Sequence, residues 1–480
     1  ERFGTYFARI PLTVSASIHN ANALTTDWER VVPKSELNYI LGNPPFLGAS
    51  VMSKEQKNEA ETIFEKMNNF GILDYVTCWY KKAAKYIQGT EIEVAFVSTN
   101  SICQGEQVPA LWPELMNKHG IKINFAHQTF KWSNEARGKA AVYCVIIGFA
   151  LVGRDEKKIF QYAAVTGDPM ETKVNQINPY LIDAPIIFIE KRSQPICTVP
   201  SMTKGSSPTD DGNFLLTLEE RDTLLANDSK LTEIIRPYTG AREFLHNTQR
   251  FCIWLKDISP SKYNNSKEIM NRLAKIKEFR SKSDRTATKK YANFPSLFVE
   301  IRQPDTDYII IPRHSSENRQ YIPIGFLDKN IIAGDATSFI PNATPYEFGI
   351  LTSTMHMAWM RYVCGRIKSD YRYSNTIVYN NFPWPSPSLK QKQDIIREAE
   401  GVLEARKKFP ELSLAELYDT TSMLPELLKA HQKLDKAVEA AYGRTFADDG
   451  QRVAYLFELY QKLTGELFVD EKKRGKGKKA

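Results

Sequence analysis

The stretch Asn38-Tyr39-Ile40-Leu41-Gly42-Asn43-Pro44-Pro45-Phe46 constrains this chain more than any other. An apolar run long enough for a buried strand stops at glycine; an amide, two prolines and an aromatic ring follow. Proline fixes φ and carries no N–H, and it drives the residue before it toward extended backbone. Asn43 is therefore held stiffly at a strand tip, its side-chain oxygen and the Pro44 carbonyl free to accept hydrogen bonds. Two acceptors converging beside a ring suit an exocyclic amino group on a planar base. Asn-Pro pairs also open ordinary strand-to-loop turns, so the stretch alone leaves both readings open.

The flanking segments set this turn in a sheet. Residues 53–88 read as helix, because Ile63, Met67, Phe70, Tyr75, Cys78, Trp79 and Ala83 fall largely on a three-to-four spacing. Strands are expected at 93–98, 121–126 and 140–150, and a short one ending near Asn22. Strands alternating with helices predict an α/β fold with a parallel or mostly parallel sheet. Ligands of such sheets gather at the carboxyl ends of strands, where Asn43 and Asn100 fall.

Beyond about residue 188 the pattern changes. Residues 201–212 read as a linker or flexible recognition loop. Residues 266–290 hold nine Lys or Arg against three Asp or Glu, with Ile269, Leu273, Ile276 and Phe279 at helical spacing. One face would pack inward; the other would present charge to a phosphate backbone or simply to water. The stretches 313–323 and 371–385 mix Arg, Asn and Gln with aromatic rings, as a duplex-reading surface would. From Ser388 onward amphipathic helices are separated by Pro410, Pro425 and Gly443. His431 reads there as a surface or packing histidine, not a ligand.

Formal net charge is +8, of which residues 470–480, with six basic and two acidic side chains, carry half. A nucleic-acid face must then be local. Six cysteines without a CxxC pair point to a reducing compartment and away from structural zinc; no metal site is expected. No run of 18 apolar residues suggests a membrane span and no signal peptide is visible, so a cytoplasmic location is the expectation.

Asn43-Pro44-Pro45-Phe46 resembles the motif of S-adenosylmethionine-dependent amino-methyltransferases, chiefly those making N6-methyladenine in DNA. The resemblance implies that Asn43, Pro44, Pro45 and Phe46 are catalytic and that Phe46 stacks on a flipped adenine. Phe130 and Trp132 resemble the second stacking element, one of them being expected to pack the sheet instead. It further implies S-adenosyl-L-methionine as cofactor, its adenine contacted by Asn22 or, second, Asp27. Gly240-Ala241-Arg242-Glu243-Phe244, together with 313–323 and 371–385, resembles the target-recognition region of the MmeI-like restriction–modification enzymes. Tyr379-Asn380-Asn381-Phe382-Pro383-Trp384-Pro385 is the most specific part. Double-stranded DNA is the implied partner, with Arg242, Arg313, Arg319 and Arg372 as contacts. The helices after Ser388 resemble the helical C-terminal domain of the same family.

The organisation expected is therefore a partial Rossmann-like methyltransferase sheet (1–188), an α+β target-recognition domain (189–388), a helical domain (389–469) and a basic tail (470–480). Only 42 residues precede Asn43, and none forms the family's glycine-rich loop. The chain is accordingly expected to be a portion lacking the N-terminal part of the same polypeptide, and inactive alone. Strand 39–41 should then lie at a sheet edge and residues 1–28 pack irregularly. The reading is a site-specific adenine-N6 methyltransferase acting by base flipping. The alternatives are a non-catalytic DNA-specificity module for a partner subunit, and a methyltransferase acting on RNA or protein glutamine.

Overall fold

A computed structural model describes residues 16, 18–65, 67–132, 142–162, 167–367 and 369–476, with side chains as far as 465. The chain forms two compact units, residues 1–102 with 110–175, and residues 103–109 with 176–480.

Among its described residues the first unit has six strands: β1 (Tyr39–Gly42), β2 (Glu93–Thr99), β3 (Lys122–Trp132), β4 (Val142–Ala150), β5 (Lys157–Tyr162) and β6 (Pro169–Val174). Their order is β1-β2-β4-β3-β5-β6. β1 pairs in parallel with β2, and β3 with β5. β4 is antiparallel to both β2 and β3, and β6 to β5. The sheet is therefore mixed, which corrects the mostly parallel expectation. β4 follows β3 after nine residues, too few for the crossover that a parallel neighbour requires. β1, β2, β3 and β5 still run the same way, so their carboxyl ends share one end of the sheet. Among the described residues β1 is the edge, with Tyr39 62% and Leu41 77% exposed.

The expected helix over 53–88 is two helices, Lys54–Phe64 and Thr77–Tyr86. The positive φ of Glu65 (56°) and Asn69 (63°) breaks it between them. Tyr80 from the second helix packs on Phe96 and Phe149 at 5.3 and 5.4 Å, joining helix to sheet. A Cβ on Gly148 would lie 2.0 Å from the Phe125 ring, so only glycine lets that ring cross β4. No strand ends at Asn22; residues 22–26 turn into a short helix, Trp28–Val31. Among the described residues no helix is long and apolar enough to cross a membrane.

The second unit holds eleven further strands: β7 (Thr203–Lys204), β8 (Leu215–Leu216), β9 (Ile235–Thr239), β10 (Phe251–Ile253), β11 (Tyr308–Pro312), β12 (His314–Ser315), β13 (Gly325–Leu327), β14 (Ile332–Ala333), β15 (Thr337–Pro341), β16 (Gly365–Ile367) and β17 (Asp370–Arg372). They form two four-stranded sheets, β14-β9-β10-β8 and β13-β11-β15-β7, and a small sheet β12-β17-β16. Helices Leu389–Lys407, Leu414–Leu417, Pro425–Ala441 and Asp449–Lys476 follow, the last running through most of the basic tail. Their boundaries are local: Ser388 makes a capping box, Pro425 stands in the first turn, and Gly443 takes φ +70°.

Two expectations fail here for one reason. Residues 201–212 are not a loose linker: Ser206 is fully buried, and the Asp210 carboxylate accepts the Phe214 N–H. In helix Lys267–Ser281, Ile269, Leu273 and Ile276 face inward, but Phe279 is 40% exposed and Arg280 takes the inner place. The Arg280 guanidinium donates to the carbonyls of Pro208, Thr209, Tyr291, Phe294 and Leu297 at 2.7–3.2 Å. Buried carbonyls without a ladder need a donor, and this one cation supplies several of them. Arg280→Met should lower unfolding free energy by about 3 kcal/mol or more, since several dry acceptors lose their partner. Urea denaturation of the variant checks this; a loss under about 1 kcal/mol would show that the carbonyls find other donors.

Candidate functional site

The carboxyl ends of β1, β2 and β3 carry most of the chemistry-bearing side chains of the first unit. β1 closes at Gly42, where a Cβ would stand 3.1 Å from the buried Phe96 ring. Asn43 comes next, exposed, its side chain making no hydrogen bond to a described residue. Pro44 is buried, Pro45 exposed and Phe46 half-buried. The Leu47 carbonyl then accepts the Tyr75 N–H at 2.8 Å, tying the turn to the segment before helix Thr77–Tyr86. Beside it the buried Asp74 carboxylate accepts from the Thr99 hydroxyl at 3.1 Å and from the Ser101 hydroxyl. Asn100, 7% exposed, donates to the Thr129 hydroxyl at 3.5 Å, joining the ends of β2 and β3.

Phe130 and Trp132 lie at this same end of the sheet, on β3, with centroids 6.1 Å apart. Phe130 stacks on Tyr162 at 5.3 Å, while His127 stacks on Phe160 at 4.2 Å and hydrogen-bonds the Tyr162 hydroxyl at 2.8 Å. Burial lowers the His127 pKa, favouring the neutral ring. His127, Phe160 and Tyr162 escaped the sequence reading; the two-residue spacing of Phe160 and Tyr162 was their signal. No ring contact joins Phe46 to Phe130 or Trp132 among the described residues. β1 and β3 are three strand positions apart in the sheet. The neighbouring residues 133–136 lie outside the described residues.

Asn22 and Asp27 are engaged locally. The Asn22 side chain accepts the Leu24 N–H at 2.9 Å and donates to Glu59 at 2.6 Å. Asp27 caps the short helix by accepting the Glu29 N–H at 3.1 Å. The Lys82 ammonium donates to the carbonyls of Ala23, Leu24 and Thr26 and stands 5.2 Å from the Trp28 ring. Tyr75 also donates to Glu59. Leu47, Tyr75, Glu59 and Asn22 thus form a continuous chain linking this loop to the Asn-Pro-Pro-Phe turn. A cleft of about 400 Å³ lined by His19, Ala21, Trp28, Tyr39, Leu41 and Tyr86 runs along the β1 edge.

In the second unit three of the four arginines gather at the small sheet. Arg313 precedes β12 and donates to the Asp335 carbonyl at 3.1 Å. Arg372 on β17 is exposed and pairs across the ladder with His314. Burial first, then the charge of Arg372, lowers the Arg313 pKa. Arg319, half-buried, donates to the Ser315 hydroxyl at 3.4 Å and feels the Asp370 charge. Arg242 is exposed on helix Ala241–His246, outside this sheet.

The stretch 371–385 is mostly not a surface, which corrects the duplex-reading expectation for its second half. Tyr379, Asn381 and Phe382 are fully buried. The Asn381 amide donates to the carbonyls of Glu190, Thr376 and Ile377, Asn380 to that of Arg192, and Tyr379 to that of Pro200. Residues 188–200 have no helix or strand, so these side chains satisfy carbonyls that no ladder reaches. Among the described residues no three His, Cys, Asp or Glu side chains are placed to hold a metal.

Three family models match the chain in order: MmeI, DNA-methyltransferase domain, over residues 1–161; MmeI, target recognition domain, over 183–386; and MmeI, C-terminal domain, over 387–468. DNA methyltransferase A of Bacillus subtilis (strain 168) is 39% identical over 458 residues, 95% of this chain and 51% of that protein. The type IIL restriction-modification enzyme MmeI, solved in complex with DNA, superimposes with a TM-score of 0.87 at 50% identity, covering 97% of this chain and 62% of that one. The chain thus spans about half the length of the curated relative it matches.

Lys82→Met should free the Asn22–Trp28 loop while the sheet stays formed, because three carbonyls lose their shared donor. Hydrogen exchange should quicken about tenfold in residues 22–28, the worth of roughly one hydrogen bond, with β2 and β4 unchanged. Equal protection in both proteins would mean that Glu59 and Trp28 hold the loop without the ammonium.

Proposed function

The chain belongs to the MmeI family through its methyltransferase, target-recognition and C-terminal domains, and on that premise we propose that it is the methyl-transferring and DNA-reading portion of a site-specific DNA methyltransferase acting on adenine N6. The observation that carries this reading is Asn43: an exposed amide without a described partner, held at the carboxyl end of a strand by two successive prolines. The Asn43 side-chain oxygen and the Pro44 carbonyl accept the two N–H groups of the adenine amino group. An amino group conjugated to the ring is a poor nucleophile, and holding both N–H bonds turns its lone pair toward the methyl donor. Positioning supplies the catalysis. Phe46 stacks on the extruded base at roughly 1–3 kcal/mol, offsetting part of the few kcal/mol that extrusion costs.

S-adenosylmethionine, when bound, supplies an electrophilic methyl group on a sulfonium. The free acceptors at Asn43 fit its reactive end. Asn22 and Asp27 fit its adenine less well, since both side chains already serve the loop that Lys82 and Glu59 hold. Residues 189–388 read the duplex, with Arg313, Arg319 and Arg372 together at one sheet. A specificity module without chemistry would have no use for an exposed, unpartnered amide set between a strand end and two prolines, which favours catalysis over that rival.

In the full-length protein Asn43→Ala should abolish methylation while leaving site-specific DNA binding within a few-fold, because affinity rests mainly on backbone contacts elsewhere. Retention of more than about a tenth of the wild-type single-turnover rate, under 1.4 kcal/mol of barrier, would overturn the assignment. Arg372→Ala separates base reading from phosphate contact. A loss of about 1–3 kcal/mol confined to one base of the site marks a reader; a uniform loss with a shallower salt dependence marks a phosphate contact. Binding unchanged on every duplex would remove Arg372 from the interface.

A further inference from the structure

The segment that carries Arg313 and Arg319 does not hold itself in place. It leaves β11, pairs briefly as β12, turns through residues 316–319 and re-enters the fold at Gln320 and Tyr321. At that re-entry two helices of the C-terminal bundle take hold of it directly, and a third does so through Arg361 of helix Thr354–Val363. The Tyr321 ring is 1% exposed and stacks on His431 of helix Pro425–Ala441 at 4.0 Å and 19°. Its hydroxyl donates to Asp435 of the same helix at 2.7 Å, and the other Asp435 oxygen accepts the Thr354 N–H at 2.7 Å. His431 hydrogen-bonds the Tyr418 hydroxyl at 2.7 Å. Arg406 of helix Leu389–Lys407 donates to that hydroxyl and, at 2.6 Å, to the Ile324 carbonyl. Arg361 donates to the Gln320 carbonyl at 3.0 Å and pairs with Asp449 of helix Asp449–Lys476.

We propose that the C-terminal helices are the positioning frame of the recognition segment, with Asp435 and Arg406 directly, and Asp449 through Arg361, setting where Arg313 and Arg319 meet the DNA. Apolar packing would hold the two parts together without fixing their register, because it is non-directional. Here a buried carboxylate is spent on one phenol and one N–H. Burial pushes its pKa up to about 6, a cost that well-packed apolar residues would avoid. What the polar chain adds is a single geometry. Base readout needs that geometry, since a bidentate contact discriminates only when both hydrogen bonds form together.

This inference rests on the reading of 313–319 as DNA-facing. The test compares wild type with Tyr321→Phe, Asp435→Asn and Arg361→Lys in the full-length protein, measuring affinity and methylation on the cognate duplex and on each single-base variant of it, with thermal stability alongside. Tyr321→Phe keeps the ring on His431 and removes only the hydroxyl. It should leave non-cognate affinity within about twofold, and lower discrimination by about fivefold to tenfold. The loss should fall at the base positions that Arg313→Ala or Arg319→Ala also affect. Arg361→Lys, at a side chain 25% exposed, repeats the test outside the buried chain should the other variants unfold. Discrimination unchanged in every folded variant, or an equal loss on all duplexes, overturns the proposal. A wild type with no discrimination at all would instead overturn the reading on which it rests.

Discussion

Buried carbonyl groups outside helices and sheets must find donors, and this requirement shapes the protein more than any single apolar contact. Long amide and cationic side chains meet it. Arg280 gathers the carbonyls of 208–209 with those of 291–297. Asn380 and Asn381 serve residues 190–192 and the helical turn Asn375–Tyr379. Lys82 serves residues 23–26, and Arg406 and Arg361 serve the re-entry at 320–324. Most of the carbonyls they serve lie outside any regular ladder, and each residue joins separate segments, so each is a joint between parts of the fold.

That requirement also explains which residues could be read from the sequence. The Asn43 turn was legible because proline acts locally: its φ and its missing N–H do not depend on what packs nearby. The edge position of β1 and the four C-terminal helices with their breakers were legible for similar reasons. The polar stretches were not. Asn381 and Arg372 stand nine residues apart in equally polar surroundings, yet one is fully buried and the other exposed. Composition cannot separate an amide that reads a base from one that satisfies a carbonyl, since the donor is the same. Arg280 shows it most plainly, taking the inward place that helical spacing assigned to Phe279. The direction of β4 was hidden differently: an apolar run fits either orientation, and only its nine-residue connection to β3 disfavours the parallel one.

The site in the first unit is assembled the same way. Asn43 is left without a described partner while its surroundings are fully engaged: Asp74 with two hydroxyls, Asn100 with Thr129, Glu59 with both Tyr75 and Asn22. A side chain kept exposed and unpartnered on so constrained a base costs little to bring to a ligand, because its backbone has almost no freedom left to lose. The aromatic group of His127, Phe130, Trp132, Phe160 and Tyr162 has the opposite character. Its rings contact one another.

The two functional segments are stiffened by different means, and the chemistry asked of each accounts for the difference. At β1 the groups proposed to act are acceptors, Asn43 Oδ1 and the Pro44 carbonyl. Prolines suit acceptors because they fix direction and remove N–H donors that would compete for the same groups or draw water to them. At residues 313–320 the groups proposed to act are donors on long side chains, on a backbone that pairs as β12. Proline would break that pairing. Rigidity there has to come from outside the segment. The contacts at Tyr321 and Ile324 supply it from two helices of the bundle that follows, and the contact at Gln320 from Arg361 of helix Thr354–Val363, itself paired with Asp449 of that bundle.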